Sequence, residues 1–242
     1  MPASIGGEDL ASCRSCKLPA GQFLCNVAAP NAPTPESEKP AQEYGKGEVL
    51  FAEGESAQGV FVLCKGRVKV LLCTGQGESV ILKIAEPGEL LGLSAAVSGK
   101  PYGTTAETTE SCQAHFVPRE AFLQLIRGKP ELCLWVARQL SANCDGARNE
   151  LRLLHLSHSA AGRLAQLLLQ WSAKKRWAPN QPPFLSLALT QRQIGQMIGL
   201  RRETVSRLFA ELERQSAIEV VQAKGSVLRI RDSSLLRRIA RG

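Results

Sequence analysis

The chain has 242 residues, a net charge of +8, 44% hydrophobic residues and 21% charged residues, values typical of a globular protein with one or two domains. This composition excludes a disordered or fibrous protein, and no apolar run is long enough for a membrane helix. The N-terminus lacks a basic start followed by an apolar stretch, so we expect no secretory signal, no membrane partner and a cytoplasmic protein. The eight cysteines are then expected to stay mostly reduced.

The charge is unevenly distributed along the chain. Residues 151–242 contain 16 Lys and Arg against five Asp and Glu, a net charge of +11, whereas residues 1–150 have a net charge of −3. A strongly basic C-terminal part beside a nearly neutral N-terminal part is typical of a nucleic-acid-binding module joined to another domain. A solvated charged surface is the alternative interpretation.

The residue pattern in the first part of the chain changes after residue 43. Residues 1–43 form a cysteine-bearing head followed by a proline-rich stretch, PNAPTPESEKPAQ, which is typical of a loop or linker. From Tyr44 to about Pro118, short runs of Val, Leu, Ile and Phe alternate with glycine-containing turns. This pattern predicts short antiparallel strands that close into a barrel or roll, and we assign residues 44–129 to this domain.

The hydrophobic period becomes helical after the roll. Apolar residues recur at spacings of three and four, which predicts one long helix over residues 130–157. The stripe comprises Cys133, Val136, Leu140, Cys144, Ala147, Leu151 and Leu154. Such a narrow seam is typical of a coiled-coil interface between two subunits. The alternative is a helix that packs on its own roll.

The segment TQRQIGQMIGLRRETVSRLFAELERQ predicts two helices joined by a tight turn. Thr190 is expected to cap the first helix, Gln191–Ile198, and Gly199 to supply the left-handed residue of the turn. The second helix is expected to begin at Arg201. The predicted core residues of the pair are Ile194, Ile198, Val205, Leu208 and Leu212. A helix-turn-helix places the first turns of its second helix in the major groove of DNA.

Four side chains in those first turns are predicted to contact base edges: Arg202, Glu203, Ser206 and Arg207. Arginine pairs with guanine O6 and N7, and glutamate accepts from cytosine N4. A carboxylate facing anionic DNA indicates base readout rather than charge attraction alone. The complete set of predicted DNA-binding residues adds Arg201, Thr190 and Lys224.

The rest of the C-terminal part predicts a winged domain. The segment AIEVVQAKGSVLRIRD predicts a β-hairpin wing with Lys224 at its tip, where the side chain would contact phosphate. Ser159 and Asp232 are expected to cap the helices that follow them. We therefore assign residues 158–242 to one DNA-binding domain.

A strand-rich roll, a long helix, a helix-turn-helix with the residues GQMIGLRRETVSRLFAELE and a wing, in this order, resemble the Crp/Fnr family of bacterial transcription regulators. The resemblance covers about residues 44–242. It implies an α+β fold with an N-terminal cyclic-nucleotide-binding-like β-roll, a long dimerisation helix and a C-terminal winged helix-turn-helix.

The resemblance also implies a function. Family members are homodimeric, non-enzymatic transcription regulators that bind an inverted repeat in double-stranded DNA. Glu203 and Arg207 would read TGA-containing half-sites, and RNA polymerase would be a further partner. Arg202 is the residue type of the cyclic-AMP-responsive branch, whereas Ser206 is that of the oxygen-sensing branch, which leaves the outer bases of the half-site open.

A cyclic nucleotide is the first ligand that the resemblance raises. Responsive members hold the cyclic phosphate with a Gly-Glu pair followed by an Arg-Ser/Thr pair, where this chain has Tyr102-Gly103-Thr104-Thr105. A buried phosphate would then lack its cationic partner, and Lys100 lies on the wrong side of the loop. We therefore expect no cyclic AMP, and another small effector in the roll is an open alternative.

The head carries Cys13, Cys16 and Cys25 in a C-x2-C-x8-C pattern, within a polar segment that has no core to fill. Thiolates of this kind hold iron–sulfur clusters, usually four to a cluster. The oxygen-sensing branch has a similar N-terminal triplet and a fourth cysteine in the roll. We predict a [4Fe-4S] cluster that senses a redox or gas signal, with Cys112 as its fourth ligand.

Several alternatives stay open for these cysteines. Counting back from Pro118, the oxygen-sensing pattern places its fourth cysteine at His115, and residues three apart on a strand face opposite sides, so Cys112 and His115 compete. Zinc bound by four thiolates, a thiol redox switch and a vestigial site are further possibilities. A ligand- or redox-responsive module without specific DNA readout is the alternative from another class. The cysteines expected only to pack are Cys64, Cys73, Cys133 and Cys144.

Overall fold

The computed structural model describes residues 41–73, 79–155, 159–174, 184–186, 189–223 and 225–241. It divides into two compact units, the first extending to Ala142 except for Ser79–Ile81, and the second comprising those three residues and the chain from Asn143. Within the described ranges, no helix is long and apolar enough to cross a membrane.

Eight short strands form the predicted roll. They are β1 (Gln42–Tyr44), β2 (Val49–Phe51), β3 (Gly59–Lys65), β4 (Val68–Cys73), β5 (Ser79–Ala85), β6 (Leu90–Leu91), β7 (Thr105–Thr108) and β8 (Cys112–Pro118). Two four-stranded sheets result, with the strand orders β1-β8-β3-β6 and β2-β7-β4-β5. The described strand pairs are antiparallel, as expected from the closely spaced turns.

Alternation along the strands of the first sheet creates two cores. One set of side chains, including Phe61 and Ala114, fills the interior between the two sheets together with Phe51 from the second sheet. The alternate set, including Val62 and Val117, lies on the outer face of the first sheet under three helices. Because successive side chains on a strand point to opposite faces, β3 and β8 are buried on both sides.

The helices over that outer face are α1 (Leu93–Ser98), α2 (Arg119–Gly128) and the start of α3 (Pro130–His155). Leu132 and Val136 of α3 are buried in the same cluster as the strand residues beneath them. From Ser141 to Asn149 every residue is exposed, and Leu151 is 58% exposed. The long helix thus begins on its own roll, and Cys144, Ala147 and Leu151 of the predicted stripe are exposed among the residues whose side chains are described.

This division corrects the prediction of one continuous seam. Val136 belongs to the core of its own roll rather than to an exposed interface, and Leu140 is partly buried against the same core. Cys133, its neighbour Leu134 and Cys144 are exposed. Spacing alone could not separate these roles, because buried Val136 and exposed Leu151 follow the same helical spacing.

Of the four cysteines that were expected only to pack, three have exposed side chains within the protomer. Cys73, Cys133 and Cys144 are exposed within the protomer, and Cys64 is half-buried. Each lies in an apolar run of the sequence, but at a position of the strand or helix that is not fully covered by the rest of the protomer. An apolar neighbourhood in sequence therefore did not determine burial.

The second unit contains the predicted winged helix-turn-helix. Its elements are α4 (Ala160–Lys174), β9 (Phe184–Ser186), α5 (Gln191–Ile198), α6 (Arg202–Arg214), β10 (Ile218–Ala223), β11 (Gly225–Ile230) and α7 (Ser233–Arg241). Ser159 caps α4, because its hydroxyl accepts a hydrogen bond from the N–H of Gly162 at 2.9 Å. The strand order of the small sheet is β10-β11-β9. The predicted α+β fold with a roll, a long helix and a winged helix-turn-helix is confirmed.

Candidate nucleic-acid interface and sensor residues

The first helix of the helix-turn-helix begins and ends at the residues predicted for it. The Thr190 hydroxyl accepts a hydrogen bond from the Gln193 N–H at 3.2 Å, and the Gln193 side chain accepts one from the Thr190 N–H at 2.8 Å. This reciprocal capping box satisfies two of the free donors at the N-terminus of α5. Gly199 ends the helix in the left-handed region at φ 64°, where glycine is not strained.

The turn between α5 and α6 depends on a close backbone approach. The Leu200 N–H donates to Gly195 O at 2.9 Å. A Cβ atom at residue 195 would lie 2.4 Å from Leu200 O, so only glycine fits this position without a shift of the backbone. Arg201 follows as the extended N-cap residue, and α6 begins at Arg202, one residue later than predicted.

The inner face of α6 fixes which side chains face outward. Val205, Phe209 and Leu212 are buried and anchor the helix against its domain. Leu208, which we predicted in this core, is only half-buried, and Phe209 takes its place. A stripe at residues 205, 209 and 212 follows the helical period of 3.6, and residue 208 lies at its margin.

The outer face of the first two turns carries the four predicted base-reading residues. Arg202, Glu203, Ser206 and Arg207 are all exposed, as is Arg201 before them. Within the described part of the chain none of them is in an ion pair. Near the end of the same helix, by contrast, Arg214 contacts Glu211 at 2.5 Å. The charges in the first turns are therefore available to an external partner.

An open groove of about 630 Å³ lies beside these residues. It is bounded by the N-terminus of α5 with Thr190 and Arg192, by Arg202 on α6 and by Val220 on β10. Two guanidinium groups and the positive end of a helix dipole face the same concave surface, which favours an anionic partner.

The wing is a regular hairpin in which Ile218 pairs with Ile230 and Ala223 with Gly225. Lys224 at its tip lies outside the described residues. Beside the hairpin, Asp232 caps α7 as predicted, because its carboxylate accepts hydrogen bonds from the N–H groups of Ser234 at 2.8 Å and Leu235 at 2.9 Å.

Of the predicted metal ligands, Cys13, Cys16 and Cys25 lie outside the described residues, and Cys112 is enclosed. Its side chain is 1% exposed and its thiol donates to Arg67 O at 3.2 Å and Glu110 O at 3.3 Å. A Cβ at Gly66 would lie 2.6 Å from the sulfur, which shows how closely the turn covers it. Burial raises the pKa of the Cys112 thiol, so the thiolate that a metal needs is disfavoured in this arrangement.

His115 lies on the opposite face of β8, as the alternation of strand residues predicted. The His115 side chain is 6% exposed. Burial lowers the pKa of His115, which favours the neutral ring. Among the described residues, no group of three or more His, Cys, Asp or Glu side chains is arranged to hold a metal ion.

Sequence reasoning missed the role of Tyr102, which stands where a cation for a cyclic phosphate was sought. Its side chain is 3% exposed and stacks on Phe51 with ring centroids 4.1 Å apart. Its hydroxyl donates to Gly59 O at 2.7 Å and accepts from the Gly59 N–H at 3.1 Å. An aromatic residue in an otherwise polar loop was the only sequence signal for this contact, and Lys100 nearby is exposed.

Comparison with known proteins agrees with both units. Residues 41–129 match the cyclic nucleotide-binding domain, and residues 162–239 match the Crp-like helix-turn-helix domain. The chain is 30% identical over 203 residues to the transcriptional activatory protein AadR of Rhodopseudomonas palustris, with 83% of each chain covered. It is 29% identical over 233 residues to the transcriptional activator protein anr of Pseudomonas aeruginosa, covering 96% of this chain and 93% of the relative.

The name of a third relative includes a ligand, cyclic AMP. The chain is 28% identical over 177 residues to the cAMP-activated global transcriptional regulator CRP of Salmonella typhimurium, covering 73% of this chain and 83% of the relative. Among solved structures, FixK2 from Bradyrhizobium japonicum has the same fold, with a TM-score of 0.72 at 24% identity over 83% of this chain and 98% of that one. These relatives are transcription regulators and not enzymes. The chain thus belongs to the CRP/FNR family of DNA-binding transcription regulators.

Proposed function

We propose that the protein binds an inverted repeat in double-stranded DNA and reads TGA-containing half-sites with α6. The observation that carries this proposal is the exposed face of the first two turns, where Arg202, Glu203, Ser206 and Arg207 have no ion pairs within the described residues. Because buried residues on its inner face fix the position of α6 in the domain, the backbone that carries these side chains is already in place before DNA binds. Such preorganisation limits the entropy cost of binding.

The individual residues have different roles in this proposal. Arg207 pairs with a guanine, and Glu203, one helical turn away, accepts from the cytosine of a neighbouring pair. Arg201, the Thr190 region and Lys224 contact the phosphate backbone, which positions the domain without specifying sequence. The groove lined by Arg192 and Arg202 supports this contact with the DNA phosphates, because two positively charged side chains lie there next to α6.

We propose a homodimer joined along the exposed part of α3. Cys144, Ala147 and Leu151 of the predicted stripe are exposed there and lie at spacings of three and four. Two copies that pack through this stripe place two α6 helices on the two halves of an inverted repeat, about one DNA turn apart (~34–36 Å). RNA polymerase is the further partner, and the site of action is the cytoplasm.

The experiment is a binding-site selection with randomised duplexes, using the full-length protein purified without air. We expect an inverted repeat with TGA in each half, and a footprint that protects both halves at the same protein concentration. Recovery of no shared motif, or of a single unrepeated half-site, would overturn specific readout by a dimer.

We propose that a redox or gas signal controls this DNA binding through a group held by the head cysteines. The C-x2-C-x8-C pattern of Cys13, Cys16 and Cys25 supports this proposal. The match to anr omits only 4% of this chain and therefore reaches into the head, whereas the match to CRP covers 73%. An iron–sulfur cluster supplies oxidant-sensitive bonds when it is bound, and zinc is the alternative occupant of such thiolates. Anaerobic purification followed by absorption spectroscopy and analysis of iron, sulfide and zinc tests this proposal.

A small effector in the roll is the second candidate for the signal. Its support is the match to the cyclic nucleotide-binding domain. Tyr102 argues against cyclic AMP as the effector. Its ring stacks on Phe51, its hydroxyl is hydrogen-bonded to Gly59, and its loop contains no buried cation for the cyclic phosphate. Titration of cyclic AMP into the protein is expected to give no heat and no rise in melting temperature. Saturable binding would make the roll the sensor.

A further inference from the structure

We infer that Glu213 is a positioning residue for DNA binding, because its carboxylate holds the first strand of the wing, β10, beside the C-terminal turn of α6. This inference rests on the proposed DNA binding by α6 and adds a residue that acts through the position of the wing. Contacts to the phosphate backbone depend on this position, whereas the base edges that α6 reads do not.

β10 is an edge strand whose free side is bonded to α6. The strand order of the small sheet is β10-β11-β9, so β10 has a neighbouring strand on one side only. An edge strand leaves backbone N–H groups without a partner in the sheet. The N–H of Val220 donates a hydrogen bond to Oε1 of Glu213 at 3.1 Å. A side chain of α6 thus takes the place that a further strand would have.

The turn between α6 and β10 fixes where the wing begins. The Ser216 N–H donates to Glu213 O at 2.9 Å, and the Ala217 N–H donates to an earlier carbonyl, Leu212 O, at 3.0 Å. Ser216 lies in the left-handed region at φ 58°, which is typical of this kind of helix end. These bonds locate the start of β10 but not its direction. The bond from the Val220 N–H adds a second point of attachment, and two points determine a direction.

Glu213 is unfavourably placed as a charge but well placed as an acceptor. The C-terminus of a helix carries a partial negative charge, which disfavours a carboxylate in the last turn. Glu211, in the same turn, is compensated locally, because its carboxylate accepts hydrogen bonds from the side chains of Arg214 and Gln215. The Glu213 carboxylate reaches β10 instead. Its position therefore suits an acceptor for the wing.

The bond at Val220 also shapes the groove beside α6. Val220 lines this groove on β10, while Arg192 lines it on α5 and Arg202 on α6. A phosphate of the DNA backbone seated in the groove contacts both guanidinium groups only if the groove keeps its width. Glu213 sets that width, because it fixes β10 relative to α6.

Charge and position predict opposite effects of removing Glu213. A carboxylate near DNA repels the phosphates, so its loss strengthens binding if charge alone matters. If Glu213 acts by holding β10, alanine in its place weakens binding although a negative charge is lost. Glu213→Gln separates the two effects, since glutamine lacks the charge but keeps an oxygen that accepts from the Val220 N–H.

The test compares full-length Glu213→Ala, Glu213→Gln and Glu211→Ala with the wild-type protein. Glu211→Ala is the matched control, because it removes a carboxylate of the same turn that bonds Arg214 instead of the wing. Hydrogen exchange of the Val220 amide, measured by NMR without DNA, reports the bond itself. Titrations at several salt concentrations, on a duplex with an inverted TGA repeat and on one without it, report DNA affinity and base preference. Melting temperatures check that each variant is folded.

We expect the Val220 amide of Glu213→Ala to exchange roughly tenfold faster than that of the wild-type protein. The same variant is expected to bind both duplexes about tenfold more weakly, with the salt dependence reduced by about one ion and the ratio of the two affinities unchanged. Glu213→Gln is expected to keep wild-type exchange and to bind at least as tightly as the wild-type protein. Glu211→Ala is expected not to weaken binding.

Wild-type or tighter binding by Glu213→Ala would overturn the inference, and so would equally weak binding by Glu213→Gln. A changed ratio of the two affinities in Glu213→Ala would also overturn it, because Glu213 would then act in base readout. A wild-type protein that binds the two duplexes equally would refute the proposed sequence readout. Even then, a loss of affinity in Glu213→Ala that Glu213→Gln restores would support the positioning role of Glu213.

Discussion

The Tyr102 hydroxyl hydrogen-bonds both polar backbone atoms of Gly59, donating to its carbonyl at 2.7 Å and accepting from its N–H at 3.1 Å. Gly59 begins β3, and a Cβ at this residue would lie 2.2 Å from Val117 O, so the strand has no space for another side chain there. A loop side chain thus provides the hydrogen-bond partner for the backbone N–H and carbonyl of the first residue of a central strand. The phenol ring of the same residue packs inside the roll against Phe51.

We expect Tyr102→Phe to lower the free energy of unfolding by about 1–3 kcal/mol, because it leaves the buried N–H and carbonyl of Gly59 without this partner. Tyr44→Phe is the matched control. Tyr44 is 9% exposed, but its hydroxyl has no hydrogen bond within the described residues, so we expect a change within about 0.5 kcal/mol. Urea denaturation followed by circular dichroism measures both. Equal effects of the two substitutions would contradict the assigned role of the Tyr102 hydroxyl.

Two glycines within helices are expected to respond in opposite directions to alanine. Gly195→Ala places a Cβ 2.4 Å from Leu200 O, so the turn between α5 and α6 must shift. Gly146 lies in the exposed part of α3, where a Cβ meets nothing within 4 Å. Gly146→Ala is therefore expected to stabilise by about 0.5–1 kcal/mol through helix propensity, whereas Gly195→Ala destabilises the second unit and weakens DNA binding. Thermal melts and gel shifts of both variants check this, and a harmless Gly195→Ala would refute the close approach.

The helix-turn-helix was predictable from sequence because its signals are local. Thr190 with Gln193 three residues later, and Gly199 just past the last apolar residue, mark both ends of α5 within the segment itself. The predicted core named Leu208 where Phe209 is buried, and it omitted Met197, which is 4% exposed. For the first of these errors, the two residues differ by one position around α6. Both are apolar and adjacent, and the difference of one position around α6 is decided by packing against the rest of the domain.

Non-local relationships were not predictable in this way. Tyr102 and Gly59 are 43 residues apart, and only the closed roll brings them together. Val136 and Leu151 both satisfied the same helical period, yet one is 5% exposed and the other 58%. The period of a helix identifies a stripe but carries no information on whether its cover is the same chain or a second copy. For Cys112, the sequence showed its strand but not the carbonyls that accept from its thiol.

The exposed part of α3 is expected to be required for dimerisation. Leu151→Glu introduces a charge into the proposed interface without disturbing the protomer, since the side chain is 58% exposed there. We expect a folded monomer by light scattering, with most of its affinity for an inverted repeat lost because the two half-sites are no longer bound jointly. Val136→Glu, by contrast, is expected to unfold the first unit, because Val136 is 5% exposed against its own roll. A dimeric Leu151→Glu protein would show that the copies pair elsewhere.

The cap of α7 is expected to contribute to the acid sensitivity of the second unit. Hydrogen bonds from the Ser234 side chain, and then from the Leu235 N–H, hold the pKa of Asp232 below its usual value. A carboxyl group with a lower pKa in the folded state stabilises above its unfolded pKa of about 4, and this contribution is lost as the pH falls through the folded pKa. Asp232→Asn retains a capping side chain but does not titrate. Urea denaturation between pH 7 and pH 3 is expected to show a smaller loss of stability in the variant, and identical pH profiles would contradict this.

Base readout by α6 is expected to depend on Arg207 and not on the arginine at the other end of the helix. If Arg207 binds guanine O6 and N7, Arg207→Ala costs about 1–3 kcal/mol at the preferred site and flattens the preference at that base pair. Arg214→Ala is the matched control, since Arg214 is already paired with Glu211 and lies in the last turn of α6. It is expected to leave both the affinity and the selected motif unchanged. The measurement is a site selection repeated with each variant, followed by titrations on the preferred duplex and on a duplex changed at the guanine. Arg207→Ala should bind these two duplexes nearly equally, because a methyl group offers the guanine no donor. If the Arg207→Ala protein selects the wild-type motif with the wild-type preference at every base, an element other than α6 reads the sequence.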